Sequence, residues 1–299
     1  MAFRNIVIEN PAHISVKNQN LVIHTDAPHT IPLEDISALL LESRQSTITT
    51  AALSQLGQCG CAVFVCDERH MPCAVLTPFQ QHSRNLSVLR LQLEATEPCK
   101  KQLWRSIVQS KLRNQALCLD FCGFPEAAEE LRTLSKRVRS GDSENAEATG
   151  AQLYFPALFG SGFTRSADVP INSGLNYGYA ILRGAMARQL AVYGFVPSLG
   201  LHHRSTLNSL NLADDWMEPF RPVVDLLVFA LMEEMEELTP AVKRQLFNCL
   251  NLDIVSDGKH YTVAYAMERL VQSLGKALEN SESRLLLPQL QELKQHSYE

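Results

Sequence analysis

Apolar residues alternate with polar ones through roughly the first eighty positions and then recur every third or fourth position to the end of the chain. The first regime predicts strands over Phe3–Ile8, His13–Val16 and Leu21–His24, the last two joined by a turn at Lys17-Asn18-Gln19-Asn20. Pro28 to Pro32 punctuates the chain, and Ile36–Glu42 is apolar enough for a central strand. Thr49–Leu56 reads as a short helix ended by Gly57 and Gly60. Cys61–Cys66 is a strong strand, with a polar turn at Asp67–His70 leading to a last extended run at Ala74–Leu76. Such a set makes a small sandwich or rolled sheet.

Pro78–Asn85 is where the period switches. Helices follow from Leu86 to Leu93, through Leu103, Ile107, Leu112 and Leu117 to a break at Gly123-Phe124-Pro125, and over Glu126–Val138. Ala146–Phe159 is a helix opened by Glu147, with Leu153 and Phe155 towards the core; Asn172–Val192 is a long one rich in glycine and alanine. Residues 206–212 read as loop or short helix, Asp215–Glu236 as a long helix bent at Pro222, and Ala241–Leu250 as another. Asp257-Gly258-Lys259 is a hairpin-like turn before a helix over Thr262–Leu278, and Glu282–Gln295 is the candidate last helix. The fold class is therefore α+β: a small N-terminal β-sandwich over residues 1–80, then a larger all-helical domain over residues 81–299.

Composition narrows the class. The chain has 299 residues, is 45% hydrophobic and 20% charged, and carries a net charge of −5. No apolar run reaches the length of a membrane span, and no basic leader precedes an apolar stretch, so a cytoplasmic protein with no membrane partner is expected. Cys59, Cys61, Cys66 and Cys73 lie close together without a paired CxxC. Cys59 and Cys61 share strand parity with Val63 and Val65, which favours buried reduced thiols over zinc. An aromatic content of 7% is too low for a base-stacking platform. No phosphate-binding glycine loop and no GxSxG is present.

Charge is placed unevenly. From Arg84 to Arg139 eleven Lys and Arg stand against six Asp and Glu. Duplex phosphates are the natural partner of such a stretch. Arg84 and Arg90 fall on its first helix, and Lys100, Lys101, Arg105, Lys111 and Arg113 on its second. The other dense feature is Gly200 to Met235, where His202 and His203 precede Asp214, Asp215, Glu218 and Arg221. Imidazole and carboxylate hold divalent metals, although an Asp214 that merely caps a helix explains part of the pattern. Asp215 and Glu218 share a helix face, and Arg221 can bridge to Glu218 or Asp225 or clamp a phosphate. Metal beside cationic side chains is what phosphodiester chemistry requires.

SxLNYGYAILR (Ser173 to Arg183) and GLHHRSxxxxLNLADDWMEPFRPxVD (Gly200 to Asp225) closely resemble signature segments of the universal CRISPR adaptation integrase, the larger of the two spacer-installing proteins. EATGAQLYFPALFG from Glu147 resembles that family's other signature, and PLEDISALLLES and CDERHMPCAVLTP its N-terminal β domain. The whole is most similar to the type II branch. The resemblance implies a Mg²⁺ or Mn²⁺ ion held by Glu147, His203 and Glu218, with Asp215 as supporting acid and His202 as the alternate to His203. It also implies a homodimer formed through the β domains. Two such dimers would flank a dimer of a small ferredoxin-like adaptation protein, a four-plus-two complex. That complex would join the 3′-hydroxyls of a duplex with 3′ overhangs to leader–repeat DNA by transesterification, with the RNA-guided effector nuclease as a further partner. A metal-dependent DNase or branched-DNA nuclease without integration uses the same ligands.

Overall fold

The computed structural model describes residues 4–77, 84–280 and 284–296. The expected switch over residues 78–83, Phe3, the start of the expected last helix at 282–283 and the terminal residues 297–299 lie outside the described residues. Two compact units form, residues 1–79 and 80–299.

In the first unit, β1 (Arg4–Ile8), β2 (His13–Lys17), β3 (Asn20–His24), β4 (Pro28–Pro32), β5 (Ile36–Leu41), β6 (Thr47–Ile48), α1 (Thr50–Gln58), β7 (Ala62–Cys66) and β8 (Pro72–Val75) follow in order. They make two four-stranded sheets, β1-β5-β7-β8 and β4-β3-β2-β6. Central β5 pairs in parallel with β1 on one side and β7 on the other. Ile36, Ala38, Leu39 and Leu40 are all buried, as a strand covered on both faces requires. On β2 and β3 only alternate residues, Ile14, Leu21 and Ile23, enter the core, which they share with Ile8, Leu39, Leu56 and Val63. Asn18 and Gln19 both take positive φ, the tight hairpin turn that matches strand twist. The stretch from Pro28 to Pro32 is a strand rather than simple punctuation. Among the described residues it pairs only with β3, at a sheet edge, where a missing proline N–H breaks no ladder. Cys61 and Cys66 are buried, whereas Cys59 and Cys73 are exposed, and all four are free thiols. Cys59 closes α1 instead of belonging to the strand, so the parity argument fails for it.

The second unit runs α2 (Asn85–Glu94), α3 (Glu97–Phe121), α4 (Pro125–Arg137), α5 (Ala146–Phe159), α6 (Pro170–Val192), α7 (Asn211–Met217), α8 (Arg221–Leu231), α9 (Pro240–Phe247), β9 (Asp253–Ser256), β10 (Lys259–Thr262), α10 (Val263–Glu279) and β11 (Pro288–Gln289). Thr96 caps α3, which threads the unit and packs against α4, α5, α7 and α8. The edge of α6 bearing Gly174 and Gly178 lies against Val224 and Val228 of α8.

Three expectations change here. The long helix expected over 215–236 starts at Asn211 and breaks at a 3-10 turn over Glu218–Phe220. Pro219 and Pro222 lack the amides that Asp215 and Glu218 would need four residues on, so the ladder stops there. Asp214 is not a cap: Leu210 holds that position, and Asp214 accepts from Arg183 Nε at 2.6 Å and Nη2 at 2.9 Å. The segment expected as a final helix is extended where described, because Pro288 would fall inside it. It adds β11 to β9 and completes a three-stranded sheet, the one departure from helix in this unit among the described residues.

Candidate metal and DNA site

Glu147 owes its position to the start of α5. Asp142 Oδ1 accepts from the amide of Ala146 at 2.8 Å, and its Oδ2 from the amide of Glu147 at 3.0 Å. Two of the helix's orphan donors are thereby satisfied. One turn on, Gly150 lets α5 press onto α3: a Cβ there would lie 2.3 Å from Leu112 Cδ2. This close approach carries Glu147 to Lys111, whose Nζ donates to Glu147 Oε1 at 2.6 Å.

The break after α7 supplies the second carboxylate. Asn114 on α3 donates to the carbonyl of Pro219 at 2.7 Å and to that of Pro288 at 3.1 Å, and accepts from the amide of Leu290 at 3.1 Å. The 3-10 turn is thus fixed one helical turn from Lys111. Glu218 is 3% exposed and projects its Oε2 to 2.6 Å from Lys111 Nζ. Its Oε1 lies 2.9 Å from Arg221 Nε. The contacts of Glu218 with Lys111 and Arg221 are close in distance without hydrogen-bond alignment, so they are held by charge. Burial alone would raise the Glu218 pKa, but Arg221 and Lys111 hold it below the ordinary glutamate value. Burial likewise opposes the Lys111 charge, and Glu218 and Glu147 override it, holding its pKa above the usual lysine value.

The histidines sit on a loop pinned by Asp215, which is fully buried. Asp215 Oδ2 accepts from the amides of Leu201 at 2.6 Å and His202 at 3.0 Å, and Oδ1 from that of His203 at 3.1 Å. The same Oδ1 lies 2.6 Å from His203 Nδ1. With Nδ1 engaged, Nε2 is the nitrogen left for a ligand. Gly200 makes the turn possible, since a Cβ there would lie 2.2 Å from the His203 carbonyl oxygen. His202 is otherwise employed: its ring stacks on buried Trp104 at 4.3 Å and 3°.

Asp215 raises the His203 pKa by its hydrogen bond; partial burial opposes this, and Glu218 and Glu147 add to the rise. A raised folded value means the pair stabilises the protein fully below about pH 6.5, the unperturbed histidine value, and less as pH climbs through the raised value. The stability difference between the parent and His203→Gln, measured by melting with a chelator, is expected to shrink as pH rises from about 6.5 through the raised value. A difference constant across that range would contradict the pairing.

Below the cluster, buried Asp225 accepts from Tyr154 OH at 3.0 Å and from Tyr179 OH. Tyr154, rather than Leu153 or Phe155, is the residue of that run fully buried. Burial pushes Asp225 up to about 6. Arg221 lies with its guanidinium carbon 4.5 Å from the Tyr179 ring centroid, so it does bridge to Glu218 and also stacks.

Of the residues expected to meet DNA phosphates, Arg90, Lys101 and Arg113 are exposed. Arg84 flanks the start of α2 and is also exposed. Lys100 lies 3.7 Å from Glu97, and Arg105 Nε donates to the Val138 carbonyl at 2.9 Å. Lys111 is a correction: it is 9% exposed and sits between two glutamates, so it is not part of a phosphate-binding surface. Its helical neighbours Ile107, Val108 and Gln115 are buried, the signal that it faces inward. Asn114, Asp142 and Trp104 were not expected at the site; Trp104 and Asn114 lie on that same inward stretch of α3.

Among the described residues no three His, Cys, Asp or Glu side chains already converge as a metal shell. The donor set nevertheless fits a hard divalent ion. Glu147 and Glu218 meet at one point, a cation already stands there as Lys111, and His203 feels both carboxylates.

A family model described as CRISPR associated protein Cas1 matches residues 6–241. A protein of Neisseria meningitidis serogroup C (strain 8013), named CRISPR-associated endonuclease Cas1, is 43% identical over 304 residues, spanning 100% of both chains. The fold is similar to a solved structure described as a casposase bound to integration product, with a TM-score of 0.78 and 21% identity over 95% of this chain and 92% of that one. It is also similar to a chain of a Cas6-RT-Cas1–Cas2 complex, with a TM-score of 0.70 and 22% identity over 97% of this chain and 36% of that one.

Proposed function

This chain belongs to the CRISPR-associated Cas1 family, and we propose that it is a divalent-metal-dependent DNA endonuclease and integrase of CRISPR spacer acquisition. The observation that carries this reading is the convergence of Glu147 and buried Glu218 on one cation, the Lys111 ammonium. Glu147, Glu218 and His203 Nε2 would hold Mg²⁺ or Mn²⁺. An ion bound there supplies Lewis-acid polarisation of a phosphoryl oxygen and lowers the pKa of the attacking hydroxyl.

The chain's own residues do the rest. Asp215 fixes the His203 ring and its tautomer, and Arg221 holds the Glu218 carboxylate in place. The reaction we assign is attack of a 3′-hydroxyl of a short spacer duplex on a repeat phosphodiester. The assembly we assign is a homodimer through the β unit, with two dimers flanking a dimer of the small ferredoxin-like partner. The effector nuclease belongs to the same reading. Neighbours described as a casposase bound to integration product and as a Cas6-RT-Cas1–Cas2 complex support the integration reaction and a Cas2-type partner.

The test is strand transfer: the chain, its small partner, a duplex with 3′ overhangs and a leader–repeat target, with Mn²⁺ or chelator. Joined product only with metal is the expected result. Cleavage without joining would favour a nuclease that does not integrate. On the DNA-binding face, Arg90→Ala, Lys101→Ala and Arg113→Ala should each weaken duplex binding and flatten the logarithmic salt dependence by about one unit of slope. Parental binding at every ionic strength would make these residues ordinary solvated charges.

A further inference from the structure

Lys111 occupies the place that the proposed ion requires. Its Nζ stands 2.6 Å from both Glu147 Oε1 and Glu218 Oε2, so an ion bound to both oxygens and this ammonium cannot share the position. Lys111 bridges Glu147 and Glu218, and Arg221 faces Glu218 from the other side. A divalent ion on the same two oxygens would be crowded against the Lys111 ammonium, like charge against like in a poorly solvated space. Arg221 is braced on the Tyr179 ring, whereas Lys111 carries its charge on a flexible four-carbon stem.

We propose that Lys111 is a built-in, displaceable counter-cation: it holds Glu147 and Glu218 together and is driven out when a divalent ion binds them. This rests on the metal site proposed above. With Lys111 in place, Glu218 keeps its charge although buried, and the two helices carrying the glutamates stay at ligand spacing. The consequence is a weakened metal affinity, because every binding event must first break two short ion pairs.

Two measurements test this. Mn²⁺ binding is titrated by electron paramagnetic resonance on the full chain, comparing the parent with Lys111→Met, Glu147→Gln and Glu218→Gln. Lys111→Met should bind Mn²⁺ about 10-fold or more tightly than the parent, within the range typical of coupled equilibria, and melt at lower temperature in chelator. Because Lys111→Met leaves Arg221 as the counter-charge of buried Glu218 and removes that of Glu147, the second measurement uses the parent alone. Reductive methylation of lysines, read by mass spectrometry, should label Lys111 more in Mn²⁺ than in chelator, with Lys100 and Lys101 as unchanging references.

Equal or weaker Mn²⁺ binding by a folded Lys111→Met, or Lys111 labelling that ignores Mn²⁺, would overturn displacement. If the glutamine variants bind Mn²⁺ as the parent does, the metal site itself is wrong. If they lose binding while Lys111 does not respond, only the role of Lys111 is wrong.

Discussion

Glu147→Gln, Glu218→Gln and His203→Ala are each expected to reduce strand transfer by more than about 100-fold, the upper end of what losing even an outer-shell partner costs. The glutamines keep the side-chain volume and remove only the negative charge that holds a cation. Glu147 is partly exposed and Glu218 is buried, yet they share Lys111, so neither has a substitute within the cluster. Each variant should remain folded and keep duplex affinity, since the exposed cations of α2 and α3 are untouched. Undiminished product from any one of them removes that residue from the site. For His203, the role would pass to His202, which would have to leave its stack on Trp104.

Asp215→Ala should have the largest effect on stability. This carboxylate is fully buried and accepts three backbone amides besides facing the His203 ring. Its removal strands the amides of Leu201, His202 and His203 with no acceptor. A loss of about 3–5 kcal/mol is expected by chemical denaturation, the range for breaking a buried charged network from one side. Asp215→Asn should fall between, because only one of its atoms still accepts. A loss under about 1 kcal/mol would mean the loop is held by something other than this carboxylate.

The helices from α3 to α6 were legible because apolar residues recur at helical spacing along each, although α3 and α6 are buried round most of their circumference. The failures have local causes. Prolines mark a break by what they remove, and at Pro219 and Pro222 they broke a helix that apolar pattern alone would continue. At Pro28 and Pro32 they sat harmlessly on a sheet edge, visible only once pairing is known. The site itself was assigned through family motifs: Glu147 and Glu218 are 71 residues apart in number, and only the packing of α5 and the 3-10 turn onto α3 brings both to Lys111. Lys111 was misread because it stands in a basic stretch. Its apolar helical neighbours carried the opposite message, and burial of those neighbours decided it.

The most direct test is anomalous scattering from crystals grown with Mn²⁺. The expected result is a peak bonded to the carboxylates of Glu147 and Glu218 and to the ring of His203. Crystals that take up Mn²⁺ elsewhere, with no peak on these three side chains, would contradict it.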